Sequence, residues 1–282
     1  MALRGTTPVA EEQRPKVLLF GEAGVGKTTA ALQFPQPYVI DAEQGTSTDQ
    51  YVDLIVGGGG ARFQTTDIDE VIEEVRSLRG EAHPYRTLVL DPITTVYDDL
   101  VDKCSQRHGE EWGRHYREAG RVMKRLRNLL LDLDMVVVVT AHGKVSYDDE
   151  MKKAGTTFDG WKKLDFVFDL VVELSRRGEH RYGRVRKTRY RQFRDGEEFR
   201  WSYEVFRERF GSILEREAQV APLASIEQLQ ELEALFSQAP VEREAVETKW
   251  LKKAGVDAVA DMRAQDLGKC LEYLRRLAGK GP

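Results

Sequence analysis

The run Gly21-Glu22-Ala23-Gly24-Val25-Gly26-Lys27-Thr28 has the spacing of a phosphate cradle. Its glycines let backbone N–H groups turn inward around anionic oxygens, because a residue without Cβ accepts positive φ at little cost. Lys27 supplies a point charge for the β- and γ-phosphates, and the Thr28 hydroxyl is a ligand for Mg²⁺. Together with Thr29 these residues form the candidate nucleotide-binding set, with ATP and Mg²⁺ as the expected cofactors. Such a loop requires a carboxylate that steadies the metal through water, at the end of a neighbouring strand. Asp91, which closes Thr87-Leu88-Val89-Leu90, fits that place. Hydrolysis further requires a group that orients or activates the attacking water. Asp41 and Glu43 follow the run Tyr38-Val39-Ile40, and Thr140 and His142 follow the apolar run 135–139. Asp41 is equally suited to capping a loop, and His142 to a solvated loop.

These residues need a scaffold, and the apolar runs supply one. Val17-Leu18-Leu19-Phe20, Tyr38-Val39-Ile40, Thr87-Leu88-Val89-Leu90 and residues 135–139 are short, continuous and rich in β-branched side chains. They read as buried strands of a parallel sheet. Residues 27–33 read as a helix that turns its positive end toward the phosphates. Helical spacing over 69–79 and 119–133 places helices between the strands. The alternation predicts an α/β domain of the doubly wound type, with its ligand at the carboxyl ends of the strands. After Leu164 the pattern changes. Residues 166–173, 181–191 and 199–205 read as antiparallel strands that extend the sheet, with turns at Gly178 and Asp195-Gly196.

The rest of the chain sets the organisation. Residues 1–15 read as a flexible tail, 16–211 as the main domain and 212–224 as a linker. Residues 225–279 read as a three-helix module, opened by the capping box Ser225-x-x-Gln228, with helices over 226–236, 241–254 and 264–278. The chain has 282 residues, 41% of them hydrophobic, enough for a real core. A net charge of −4 excludes a uniformly basic coat, so any polyanion site must be local. Two distant cysteines, Cys104 and Cys270, argue against a disulfide framework or zinc site and fit a reducing compartment. No run reaches the length of a membrane span, and the expectation is a cytoplasmic protein without a membrane partner.

The order of these elements resembles the RecA-like ATPases. Val39-Ile40-Asp41-Ala42-Glu43 resembles the strand that ends in their catalytic glutamate. Residues 88–96 resemble their magnesium-site strand. Val137-Val138-Val139-Thr140-Ala141-His142 occupies the place of their γ-phosphate sensor, where RecA usually carries glutamine. Lys187-Thr188-Arg189 resembles a short cationic run in the phage-borne branch that acts in single-strand annealing and recombination. The resemblance covers about residues 15–210. It implies a RecA-like core of mainly parallel sheet, extended by antiparallel strands, with a small C-terminal helical domain. It implies Glu43 as general base and Lys187 and Arg189 as fingers reaching a neighbouring subunit's site. Self-association into a ring or filament follows from the same likeness, as does a phage gene in a bacterial host.

By that likeness two polar loops would bind single-stranded DNA. One is 103–117, with Arg107, His108, Trp112, Arg114, His115, Tyr116 and Arg117. The other is 143–163, with Lys144, Tyr147, Lys152, Lys153, Phe158, Trp161, Lys162 and Lys163. Cations would meet phosphates and rings would stack on bases. The arginine-rich stretch 176–194, interleaved with Tyr182 and Tyr190, is a further candidate surface. The C-terminal cations Lys249, Lys252, Lys253, Lys269, Arg275 and Arg276 suit DNA, a partner protein or simply solvent. The leading expectation is an ATP-dependent single-stranded-DNA-binding recombinase or annealing protein. The alternatives are a remodelling or motor ATPase acting on protein or duplex DNA, and a nucleotide-controlled assembly switch with little turnover.

Overall fold

The computed structural model describes residues 12–147, 153–238 and 241–279, together with Gly5 and Thr7. Strand β1 (Lys16–Gly21) is buried throughout and runs into the glycine-rich loop. Helix α1 (Lys27–Ala31) follows, then β2 (Pro37–Asp41), α2 (Asp49–Gly57), β3 (Ala61–Gln64), α3 (Ile68–Gly80), β4 (Thr87–Asp91), α4 (Ile93–His108) and α5 (Arg114–Asp132). The second half holds β5 (Val136–Tyr147), β6 (Lys153–Phe158), α6 (Leu164–Val167), β7 (Leu170–Arg177), β8 (His180–Thr188), β9 (Glu198–Arg200) and α7 (Tyr203–Phe210). Helices α8 (Ile226–Gln238), α9 (Arg243–Ala254) and α10 (Ala264–Ala278) complete the chain.

The strands pair in the order β3-β2-β4-β5-β1-β7-β8-β9, with β6 on β5. β3, β2, β4, β5, β1 and β7 are parallel, whereas β8 and β9 add antiparallel strands and β6 forms a hairpin with β5. This is the expected RecA-like arrangement, in which β5 separates the loop-bearing strand β1 from the Asp91 strand β4. Parallel pairing sends the carboxyl ends of β1, β2, β4 and β5 to one edge. Asp41 pairs with Asp91 and Gly21 with His142, so the loop, Glu43, Asp91 and His142 meet there.

Both faces of the sheet are covered, which explains why its strands are apolar without alternation. One face packs Leu18, Ile40, Leu88, Leu90, Val137 and Val139 on α3, α4 and α5. The other packs Val17, Leu19, Val39, Val89, Val136 and Val138 against α1 and the aromatic residues Phe34, Phe193, Trp201 and Phe206. Phe206 is fully enclosed by rings at its edge and face, with Trp201 at 4.9 Å and Phe34 at 5.1 Å between centroids.

Several boundaries depart from the sequence expectation. The helix expected over 27–33 has five residues, because Leu32 to Phe34 turn to bury Phe34 in the core. The expected loop 103–117 is mostly helix. α4 continues to His108 and α5 begins at Arg114, leaving a tight connection with positive φ at Gly109, Trp112 and Gly113. The expected loop 143–163 is a hairpin instead. β5 runs on past Thr140 and pairs from Gly143 with Phe158 through Ser146 with Gly155, satisfying its backbone in the ladder. The strand expected over 166–173 begins at Leu170, after the short helix α6. The strand expected over 199–205 ends at Arg200, and Val205 lies on α7. α2 and β3 had no clear sequence signal, because α2 is mostly exposed and β3 is an edge strand.

The helices α8, α9 and α10 build their own apolar cluster around Leu232, Trp250, Leu267, Leu271 and Leu274. Ser225 and Gln228 close the capping box reciprocally, each backbone N–H donating to the other side chain at 3.2 Å. The cluster is tied to the main sheet's helices through Asp261, which is buried between Arg76 at 3.1 Å and Arg125 at 2.7 Å. No described helix is long and apolar enough to cross a membrane.

Candidate nucleotide-binding site

The loop after β1 wraps a cavity of about 490 Å³ lined by Gly24, Gly26, Lys27, Thr28, Glu43 and Asp91, with His142, Tyr51, Arg176 and Arg181 completing its wall. Gly24 and Gly26 adopt φ of 78° and 90°, the region that only glycine enters freely. Gly21 is required for a different reason. A Cβ there would stand 2.4 Å from the Leu174 carbonyl oxygen, because β7 presses against the start of the loop. Lys27 Nζ donates to the carbonyls of Gly21 and Glu22, each at 3.0 Å. The ammonium is thereby held at the centre of the cradle. Burial lowers its pKa, opposed by the charges of Asp91 and Glu43.

Asp91 projects from the end of β4 into this cavity. Burial pushes its carboxyl above the usual carboxylate range. Hydrogen bonds from Thr140 and Thr28 pull it down, and the neighbouring Asp41 and Glu43 push it up again. A buried carboxylate beside the Thr28 hydroxyl, with two further acids nearby, is suited to a hard cation. Among the described residues no cluster of three metal-ligating side chains occurs. Thr28 and Asp91 are the protein oxygens that this edge of the cavity offers such an ion.

Glu43 and His142 face each other in the cavity wall. His142 Nε2 lies 2.9 Å from Glu43 Oε1, and Thr95 Oγ1 donates to the same oxygen at 3.0 Å. Both side chains are about half exposed. Asp41, by contrast, is consumed by its own loop. It accepts from the N–H groups of Glu43, Gly45 and Thr46 and from the Thr46 hydroxyl. Its carboxyl is desolvated by burial, but these hydrogen bonds outweigh that and hold it below the usual range. It shapes the turn that presents Glu43.

Lys187 and Arg189 are not brought to this cavity. β8 is antiparallel to β7, with Lys187 opposite Val171, and Val17 of β1 pairs with Leu170. Both cations therefore lie at the amino end of β1, opposite the edge where the loop leaves it. Lys187 Nζ donates to the Asp165 and Phe168 carbonyls, and Arg189 is paired with Asp169 at 3.0 Å.

Sequence reasoning grouped Arg176 and Arg181 with a basic hairpin, and the fold instead turns both into the phosphate cavity. Their register position, opposite one another at the tip of the β7–β8 hairpin, is what delivers them there. It also missed Thr94. Thr94 Oγ1 accepts from His142 N–H at 3.0 Å and donates to the Asp159 carbonyl at 2.9 Å, while Asp159 N–H donates to the His142 carbonyl at 2.7 Å. The sensor position is thereby stapled to the end of β6.

The candidate DNA residues divide by burial. Trp112 and Tyr116 are exposed, at 95% and 57%. Phe158 and Trp161 are buried in the core cluster, and His115 is buried on α5, so none of the three is available for stacking. Tyr190 is likewise withdrawn. Its hydroxyl accepts from Lys16 N–H and donates to Asp169, and its ring meets Phe210 edge-on at 5.1 Å. Tyr182 lies under Arg177 at 4.8 Å. Residues 148–152 and the side chains of Tyr147 and Lys153 lie outside the described part. In the C-terminal helices Lys249 and Lys253 cover the Tyr273 and Trp250 rings, and Arg275 pairs with Glu231 at 2.6 Å. These cations are engaged within the module.

Loop, paired strand ends and strand order together define a P-loop fold with a RecA-like sheet. The family model described as an AAA domain matches residues 13–198, and the chain belongs to that family. No curated protein matches the chain. Among solved structures it is similar to one described as the crystal structure of the RadB recombinase, at 18% identity and a TM-score of 0.44, covering 66% of this chain and 86% of that one.

Proposed function

We propose that this chain is a magnesium-dependent ATPase in which Glu43 activates the attacking water. The observation that carries the reading is the convergence of Lys27, Thr28, Asp91 and Glu43 on one cavity at the carboxyl edge of the sheet. Lys27 and the loop N–H groups bind the triphosphate. The carbonyl bonds that Lys27 makes to Gly21 and Glu22 are exchanged for phosphate oxygens as the ligand enters. Thr28 and Asp91 hold Mg²⁺, which neutralises charge on the phosphate oxygens when bound. Glu43 takes the proton of the water that attacks the terminal phosphorus, and His142 holds the carboxylate toward the cavity. Hydrolysis yields ADP and phosphate.

The second part of the proposal is that the ATPase works on single-stranded DNA, assembling on it to promote annealing or strand exchange. Its support is a cavity of about 700 Å³ that gathers Lys144, Lys162, Lys163 and the exposed ring of Tyr116 beside the acids Asp98, Asp102 and Asp159. Cations with an exposed ring suit a flexible polyanion with flat bases. The cavity also borders Asp159, whose backbone is hydrogen-bonded to His142 and Thr94, so a short chain of hydrogen bonds links it to the nucleotide site. Lys187 and Arg189, displaced from their own site, would complete that of a neighbour in a ring or filament. The C-terminal helices are a further surface for a partner protein.

An ATPase assay with and without single-stranded and duplex DNA, beside Lys27→Ala, tests both parts. The expected result is magnesium-dependent turnover, absent in Lys27→Ala and raised by single strands. Stimulation by duplex or protein alone would favour a remodelling or motor ATPase, and tight binding without turnover a switch. Lys187→Ala should reduce hydrolysis only where the chains assemble.

A further inference from the structure

The arginines of the 176–194 stretch are not equivalent. Arg177 pairs with Glu198 at 2.6 Å, Arg186 with Glu173 at 3.3 Å and Arg189 with Asp169 at 3.0 Å. Arg181 differs. Its Nε is buried and has no hydrogen-bond partner. Its guanidinium rests on the phosphate loop itself. A Cβ on Gly26 would lie 2.0 Å from Arg181 Nε and 2.8 Å from Cζ and Nη2. Across the hairpin ladder Arg176 stands opposite it and lines the same cavity. Arg176 gives its Nε to the Gly178 carbonyl at 2.9 Å, which fixes the turn that carries both residues.

A guanidinium always carries its charge, and removing one of its N–H groups from water without a partner is unfavourable. The arrangement persists here because β8 is anchored on both sides. It pairs with β7 from Leu170 to Arg177, and Trp201 N–H donates to the Arg181 carbonyl at 2.8 Å. An anion is the natural partner of a guanidinium, and the cavity that Arg181 lines is the one built around Lys27. We infer that Arg181 is a phosphate-contacting residue that acts in cis, closing the chain's own nucleotide site with a second fixed positive charge. The inference rests on the reading of the cavity as a nucleotide site and deepens it. It assigns to the β7–β8 hairpin a function distinct from that of Lys187 and Arg189, which the same strand carries to the opposite edge. A single chain then holds a di- or triphosphate without help from a neighbour. Assembly contributes to turnover rather than to binding.

The test is calorimetric titration of the full chain with ATP, ADP and AMP, at two protein concentrations, for wild type, Arg181→Ala, Arg181→Lys, Arg177→Ala and Lys27→Ala. Loss of a charge-assisted contact should weaken ATP and ADP by about 10-fold or more, and AMP much less. Arg181→Lys should fall between Arg181→Ala and wild type, because charge returns without the fork. Arg177→Ala should bind as wild type does, since Glu198 already neutralises that residue. The loss in Arg181→Ala should be the same at both concentrations. Thermal denaturation checks that each variant is folded. Arg181→Ala binding ATP as tightly as wild type, while Lys27→Ala does not bind, overturns the inference alone. So does a loss in Arg181→Ala that appears only at the higher protein concentration. A wild type that binds no nucleotide overturns the site reading and this inference together.

Discussion

Glu43 Oε1 and His142 Nε2 lie 2.9 Å apart, though 99 positions separate them in the chain. Glu43 is delivered by the turn that Asp41 caps, and His142 by β5, which sits between the strands of the loop and of Asp91. Thr95 Oγ1 makes a second bond to the same carboxylate oxygen. The other oxygen of Glu43 is thus the one left to accept a proton from water. The residue that would sense the terminal phosphate and the residue that would act as base stand in direct contact. A shift of either one displaces the other.

Glu43→Gln keeps the size of the side chain and removes its capacity to take a proton. Nucleotide affinity should stay within a few-fold of wild type, while turnover should fall by about 100-fold or more. Single-turnover hydrolysis beside equilibrium binding separates the two, and unchanged turnover removes Glu43 from the role of base.

Gly26→Ala should be far more damaging than its single added carbon suggests. The position has φ of 90°, and the new Cβ would collide with Arg181. The strain is about 1–3 kcal/mol, and relieving it displaces either the loop or Arg181. We expect ATP affinity to fall by at least about 10-fold in a folded protein, read by titration and circular dichroism.

Lys16 makes stability depend on pH. Its ammonium is fully buried, donating to the Leu133 and Met135 carbonyls at 2.6 and 2.8 Å, and burial lowers its pKa to about 7 against the attraction of Asp134. The unfolded chain titrates this group near 10.5. Between these values the unfolded state binds more protons than the folded one, so stability rises with pH across that window. Below about 7 both states are protonated and the penalty is fully present. The contribution to the slope approaches 1.4 kcal/mol per pH unit. Urea denaturation at pH 7.5 and 9 should show the rise in wild type and a smaller rise in Lys16→Met.

Asp261 joins the C-terminal helices to the main sheet's helices. It is 1% exposed and faces both Arg76 and Arg125, while its carbonyl accepts from Arg79 at 2.5 Å. Asp261→Ala leaves the Arg125 guanidinium without its partner and Arg76 with only Glu73. The expected loss is about 3–5 kcal/mol of stability in chemical denaturation. A loss below 1 kcal/mol would show that the arginines find solvent readily.

The sequence by itself determined the parts of this protein whose physics is local. A glycine-rich loop needs positive φ at particular positions, and Gly24 and Gly26 take it up. Strands covered on both faces must be apolar without alternation, so β1, β2, β4 and the first half of β5 were legible, with Asp91 and His142 closing their apolar runs and Glu43 just past β2. The capping box at Ser225 is equally local. What only the tertiary structure decided depends on pairing between distant segments. Residues 143–163 read as a polar loop, because the hairpin they contain is stabilised by its ladder rather than by an apolar pattern. Lys187 and Arg181 are six residues apart on one strand, yet the antiparallel turn at Gly178 places Arg181 on the phosphate loop and Lys187 at the far edge. No local signal separates them, since both are cations in a basic run. Register against β7, and through it against β1, is what gives each its place.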